Sequence, residues 1–241
     1  MQIIDAYWEE RNLGVSCYEI KTGFRDSLEE IKEQYEELKE RQYMVVKVPS
    51  SRPDIIPFFQ QREFAFCETA ITLEHNLRSI DVPKRLEKIF EKCRWVRMVE
   101  EDIGFLHDQV YKNVFKTDRV YMDPMFTEEQ AARRYDCWIQ DLIHDDNIPY
   151  KVMFQDETVG FFLNKEVKAG VYDGLLAATY SNYEGTGMGY CIQYAGLKSA
   201  MDRGASKYIG HVSANNPTVL KMLLSIGFSV KEMEYVFIKH I

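Results

Sequence analysis

Residues Glu184-Gly185-Thr186-Gly187-Met188-Gly189 set glycine at three alternate positions directly ahead of a segment with helical character. Glycines without Cβ atoms let a ligand approach the backbone closely. A helix N-terminus adds unpaired N–H groups and a partial positive charge. The chemistry that suits this combination is anion binding, provided that the Glu184 carboxylate points away. Two familiar phosphate motifs do not fit. G-x-G-x-x-G would need glycine where Tyr190 or Ile192 stands. The near-match to a P-loop at Gly196-Leu197-Lys198-Ser199 has Leu197 in the lysine place and Cys191 in that of the first glycine. Taken alone, the loop reads equally well as a turn with caps.

The elements that must position this loop follow from patterning. Ser27–Glu30 (SLEE) is a capping box, and Leu28, Ile31, Tyr35 and Leu38 share the helical face behind it. Residues 44–48 are a strand. Ser51-Arg52-Pro53-Asp54 starts a helix, and residues 66–73 form another strand. This first part is a small βαβαβ-like unit. Residues 81–84 (DVPK) mark a break, and the domain boundary is placed near residue 92. That gives a small α/β domain over 1–92 and a second domain over 93–241. In the second, residues 94–99 are a strand and Asp102 caps a helix running to about Val114. A loop occupies 115–126, and Thr127–Gln130 (TEEQ) caps a helix toward Leu142. Strands at 150–154 and 158–164 flank a hairpin turn, and a third covers 172–179. After the glycine loop come a helix over 188–203, a strand over 207–212, a helix over 217–226 and a strand over 234–239. The order β-α-α-β-β-β-α-β-α-β describes a mixed sheet with helices on both faces.

Bulk properties narrow the function classes. The 241 residues are 46% hydrophobic and 28% charged, enough to bury a core. A net charge of −8 argues against nucleic acid as a partner. The five cysteines, at 17, 67, 93, 137 and 191, are scattered, odd in number and without C-x-x-C, so neither a disulfide framework nor a zinc site is expected. The N-terminus lacks the pattern of a signal peptide, and no apolar run matches a membrane span. A cytoplasmic protein without membrane or metal partners is the expectation.

Residues 213–228 (SANNPTVLKMLLSIGF) complete a second pattern. Together with EGTGMG they resemble the acetyl-CoA site of the GNAT superfamily of N-acyltransferases. There, Gln/Arg-x-x-Gly-x-Gly/Ala opens a long helix, followed by a strand, an asparagine, a short helix and a Gly-Phe pair, here Asn216 and Gly227-Phe228. The element order agrees with that fold. The resemblance implies an α/β (α+β) fold with a mixed central sheet, and acetyl-CoA as co-substrate. Backbone amides of Glu184, Gly185, Thr186, Gly187, Met188 and Gly189 would hold its pyrophosphate. The strand Ala177-Ala178-Thr179, splayed from its neighbour, would pair with the pantetheine arm, and Asn216 would touch that arm besides capping its helix. Two positions depart from the pattern. Glu184 replaces Gln/Arg, and Leu223 stands where many members carry a tyrosine that protonates the leaving thiolate. At the N-terminus, Tyr7-Trp8-Glu9-Glu10 with Leu13-Gly14, then MVVKVPS and FAFCETAITLEH, resemble the dTDP-fucosamine acetyltransferase group, as does Phe115 with Asp118-Arg119. That group acetylates an amine on a nucleotide-linked deoxysugar.

The resemblance implies direct attack of an amine on a thioester, which needs a base, an oxyanion donor and a source of a proton for the thiolate. His211, on the strand before Asn216, is the candidate base, and Tyr183 a candidate hydroxyl, with Tyr180 beside it. Asp173, Glu166 and Tyr235 are lesser candidates. Asp118, Arg119 and Tyr121 line the acceptor pocket, with Arg119 suited to a diphosphate. The leading expectation is an N-acetyltransferase acting on a small-molecule primary amine, a nucleotide amino sugar among them, with a homodimer as one allowed assembly. A non-catalytic acyl-CoA-binding domain and a peptide N-acetyltransferase are the alternatives.

Overall fold

The computed structural model describes residues 1–80, 82–112 and 114–241. The break expected at 81–84 therefore begins outside the described residues, and Asn113 lies outside them too. In chain order the elements are β1 (Gln2–Asp5), α1 (Trp8–Leu13), β2 (Cys17–Lys21), α2 (Leu28–Glu36), β3 (Tyr43–Pro49), α3 (Ile56–Gln60), β4 (Ala65–Asn76) and α4 (Lys84–Phe90). Then follow β5 (Cys93–Arg97), α5 (Glu100–Val110), α6 (Glu128–His144), β6 (Tyr150–Phe154), β7 (Glu157–Lys168), β8 (Val171–Thr179), α7 (Gly189–Asp202), β9 (Lys207–Ser213), α8 (Pro217–Ser225) and β10 (Ser229–His240). The second half reproduces the expected order element by element.

Among the described residues, ten strands form one sheet in the order β1-β2-β3-β10-β4-β9-β8-β7-β6-β5. Only β2–β3 and β8–β9 run parallel. The C-terminal strand β10 inserts between β3 and β4, pairing antiparallel with both. Residues 1–92 and 93–241 are thus joined through continuous backbone hydrogen bonding. Strand alternation sends neighbouring side chains to opposite faces. Phe162 packs under α7 with Ile192 and Ala195, whereas Phe161 packs under α5 and α6 with Leu106 and Ile139. The N-terminal half repeats this: Met44, Val46 and Val48 meet Ile31, Phe58 and Phe59, while Tyr43 and Val45 meet Leu13 and Ala131. Helices therefore cover both faces of the sheet.

Both capping boxes form, with Ser27 accepting from the Glu30 amide and Thr127 from that of Gln130. Three details differ from expectation. Asp102 is the third residue of α5, where its carboxylate accepts from the Val99 amide at 3.0 Å, and the helix stops at Val110. The helix after Pro53 begins only at Ile56, because Arg52 is held across the turn by Asp54 and by the carbonyls of Phe24 and Asp26. Cys93 and Cys191, set aside by spacing alone, are bonded with their Cα atoms 6.0 Å apart, linking β5 to the first turn of α7. No helix among the described residues is long and apolar enough to cross a membrane.

Candidate active site

The parallel pair β8–β9 is paired only from Val171–Lys207 to Gly174–Gly210. Beyond that point β8 continues to Thr179 against β7, and β9 continues to Ser213 against β4. The two strands fork, and the register slips on the β7 side at the same level, between Leu163 and Asn164. Hydrogen-bonding alternation identifies what lines the fork. The Tyr180 amide donates to Val159 of β7 and the Ala214 amide donates to Thr69 of β4. Hence Ala178 and Leu176 face β7, while Ala177 and Thr179 turn their amides and carbonyls into the fork. By the same logic His211 and Ser213 do so from β9. Ala177 and Thr179, named from sequence, stand on the open edge.

The glycine loop closes the wide end. Gly185 and Gly187 adopt φ of +76° and +87°, a region that side chains disfavour. Among the described residues, the amides of Gly185, Gly187, Met188 and Gly189 donate to no carbonyl or side chain. Gly189 serves another need: a Cβ there would lie 3.1 Å from the Met222 sulfur, so its absence lets α7 start against α8. Glu184 points outward to an ion pair with Lys116 at 3.2 Å, as an anion-binding loop requires. Asn216 caps α8 by accepting the Val219 amide at 3.1 Å. Free amides at a helix start and an open pair of strand edges fit a long ligand carrying phosphates at one end and an extended amide-bearing arm at the other.

His211 sits at the level where the fork opens. Its Nε2 lies 3.0 Å from Asp173 Oδ1 and its Nδ1 lies 3.4 Å from Thr72 Oγ1. A carboxylate can only accept, so Asp173 fixes the Nε2–H tautomer and leaves Nδ1 as the basic nitrogen. Side chains of His211, Ser213 and Thr72 share the sheet face that α6 and the loop at 115–126 border.

Other candidates are placed differently. Tyr183 gives its hydroxyl to Glu157 of β7, on the far side of β8 from the fork. It borders two clefts of about 510 and 400 Å³ at the hairpin between β6 and β7. That corrects its expected catalytic place. Arg119 is 5% exposed and ion-paired to Glu9 at 2.9 Å, so it has no surface to offer a diphosphate. Glu9 also holds Arg134 at 2.9 Å. Asp118 is engaged within the fold: it accepts the Tyr121 amide at 3.0 Å and lies 3.5 Å from Arg134. Tyr121 turns its hydroxyl to Glu128. Glu166 accepts the Gly170 amide in a turn, Tyr180 is buried, and Tyr235 packs on the apolar cluster around Phe59.

Sequence reasoning missed Glu68 of β4. It is buried on the His211 face of the sheet, and burial pushes its carboxyl up although Arg119 and Lys47 oppose the shift. A lone carboxylate inside the apolar strand FAFCETAITL was the available signal.

No protein-family model matches the sequence, and no curated protein is similar to it in sequence. Solved structures are similar in fold. A GCN5-related N-acetyltransferase from Sphaerobacter thermophilus superposes with a TM-score of 0.57 at 15% identity, over 88% of this chain and 64% of that one. This chain thus spans less than two thirds of that protein's length. A conserved protein of unknown function from Staphylococcus epidermidis gives 0.64 at 12% identity, over 93% and 84%. A GCN5-related glucosamine N-acetyltransferase region of a fungal multi-domain GH3 β-N-acetylglucosaminidase gives 0.60 at 12%, over 82% and 25%. The chain has the fold of the GCN5-related N-acetyltransferases.

Proposed function

We propose that this protein is an acetyl-CoA-dependent N-acetyltransferase acting on a primary amine of a small molecule. The observation that carries the reading is the fork between β8 and β9, closed at its wide end by free loop amides. Bound acetyl-CoA would supply a thioester already activated for transfer. The amides of Gly185, Gly187, Met188 and Gly189 would hold its pyrophosphate, those of Glu184 and Thr186 being spent on Ser181 and Tyr183, and the open edges of Ala177 and Thr179 its pantetheine arm. An N–H facing the fork would stabilise charge on the thioester oxygen. His211, oriented by Asp173, would take the proton as the amine nitrogen bonds to the acetyl carbon. The carbon–sulfur bond breaks with its electron pair on sulfur, which takes a proton from water. Leu223 is buried in the core beneath α8 and has none to give.

The fungal glucosamine N-acetyltransferase region keeps amino sugars among the acceptors. The nucleotide part of that expectation is weaker, because Arg119 is used inside the fold. Leu223 also favours a second reading, an acyl-CoA-binding domain without turnover.

The test is thermal unfolding with acetyl-CoA, with NAD as control. A ligand at a hundred times its Kd stabilises by about 2.7 kcal/mol. An upward shift with acetyl-CoA and none with NAD is expected. No shift at millimolar acetyl-CoA would reduce the loop to a turn and remove the enzymatic reading.

A further inference from the structure

The two ends of the chain build the same unit. Each has two parallel strands joined through a helix, then a second helix and a long strand: β2-α2-β3-α3-β4 and β8-α7-β9-α8-β10. From β3 onward the repeat keeps one offset without a gap, so that Tyr43 to Asn76 answer Lys207 to His240. Each long strand crosses to the other unit. Tyr43 pairs with His240 as Lys207 pairs with Asn76, and Pro49 pairs with Glu234 as Ser213 pairs with Ala70. Where β4 meets β10, Glu234 stands opposite Ala70, its own equivalent. The pairs on either side exchange: Met233–Ile71 with Tyr235–Thr69, and Ser229–Glu74 with Ile238–Ala65. The two register slips correspond as well, at Lys231 on β10 and at Cys67 on β4. A pseudo-twofold axis at Ala70 and Glu234 therefore relates the units. Local backbone agrees. Glu63 and Gly227, equivalent positions, have φ of +67° and +99°, and the amides of Phe64 and Phe228 donate to Phe59 and Leu223 at 3.2 Å.

The equivalence reaches the site. His211 corresponds to Lys47 and Asp173 to Glu19, and Lys47 lies 2.8 Å from Glu19 as His211 lies 3.0 Å from Asp173. The first unit is thus a fork of the same plan, but a closed one. Its parallel pairing runs past the level of Gly174–Gly210 to Lys21–Lys47, and the Thr22 amide then donates to Lys47 at 3.0 Å. Arg52 stands where the second unit has Asn216. Its guanidinium donates to the carbonyls of Phe24 and Asp26 at 3.1 and 2.7 Å, and the Asp26 carboxylate takes the Gly23 amide. A loop with its carbonyls turned inward and a carboxylate on its amide offers no cradle to an anion. On the other face Arg119, 5% exposed, bonds Glu9 at 2.9 Å and lies 4.0 Å from Glu19. That is the place an acceptor would take beside Asp173 in the open unit.

We propose that residues 17–76 are a second acyl-CoA fork, closed by Arg52 and Arg119 and kept as a built-in partner, so that one chain completes one acetyl-CoA site by itself. This rests on the acetyltransferase reading. Exchange of an identical element is how two separate copies form a dimer. Here β4 and β10 make that exchange within one chain, and β4 supplies the outer neighbour of β9 that a second copy would otherwise bring.

The experiment counts acetyl-CoA bound per chain by isothermal titration and measures the mass of the complex by sedimentation. It uses the full chain, Met188→Asp in the open loop and Arg25→Asp in the closed one. Met188 is the N-cap of α7, a position that accepts aspartate, so the first variant adds charge at little cost to the fold. The expected result is one acetyl-CoA per chain, bound by a single chain. Met188→Asp should weaken binding by about 100-fold or more through like-charge repulsion and leave no second site, whereas Arg25→Asp leaves the affinity unchanged. Two ligands per chain, binding that survives Met188→Asp but falls in Arg25→Asp, or binding by a dimer alone overturns the proposal. If Met188→Asp does not fold, the native count and the Arg25→Asp affinity decide. Absence of acetyl-CoA binding in the native chain fails the acetyltransferase reading, and this proposal with it. Two ligands per chain fails only the closure of the first fork.

Discussion

Single residues divide into those whose role is written in their own neighbourhood and those decided from far away. Asn216 and the Thr127–Gln130 pair belong to the first kind: cap and capped amide lie within three residues, so sequence reveals them. Arg119 belongs to the second. In its own segment, TDRVY, it reads as a surface arginine, but its burial is fixed by Glu9, 110 positions earlier. Burial of Glu9 opposes its charge, and only the two arginines hold its carboxyl below the usual range. Glu68 likewise acquires meaning only when β4 lands beside β9. His211 lies between these cases. Its type suggested a base, but Asp173 at 3.0 Å is what selects the basic nitrogen. His211→Ala should lower kcat by about 100-fold with the best acceptor found, and Asp173→Asn less, with acetyl-CoA stabilisation kept in both. A kcat within twofold of native for His211→Ala would move the base elsewhere.

At the scale of elements, periodicity and capping located α2, β3 and nearly every element after them, because each of those signals is local, but not β1, α1 and β2, which are only four to six residues long. The fork was legible only through the family resemblance, since nothing in the residues of β8 states that its pairing with β9 ends at Gly174. The loop can be examined directly. Gly187 stands at φ +87° with open space where a Cβ would go, so Gly187→Ala meets conformational strain and no clash. Such a change costs about 1–2 kcal/mol when the conformation is kept. If the loop amides bind pyrophosphate, the substitution should also weaken acetyl-CoA affinity by tenfold or more, because relief of the strain re-aims those amides. Isothermal titration separates the two effects. Lower stability with unchanged affinity would mean that the glycine serves only the turn.

The scale of the whole chain decides whether the fork can exist apart from the first 92 residues. Composition breaks suggested a boundary there, and both halves have patterns able to build a core. Sheet order argues for mutual dependence. β9, one arm of the fork, is held on its other side by β4, and β10 is clasped between β3 and β4. A chain of residues 93–241 would leave β9 without its outer neighbour over seven paired positions and would bare both edges of a twelve-residue β10. It would also expose the apolar faces that Ile71 and Leu73 cover beside Leu197 and Phe228. Free edges and uncovered apolar surface favour self-association over a folded monomer. Residues 93–241 expressed alone should therefore give no cooperative thermal transition and no stabilisation by acetyl-CoA, whereas the full chain should unfold in one transition that acetyl-CoA raises. A truncated chain that melts cooperatively and responds to acetyl-CoA would show the fork to be self-sufficient, and β4 would then be a replaceable neighbour rather than a wall of the site.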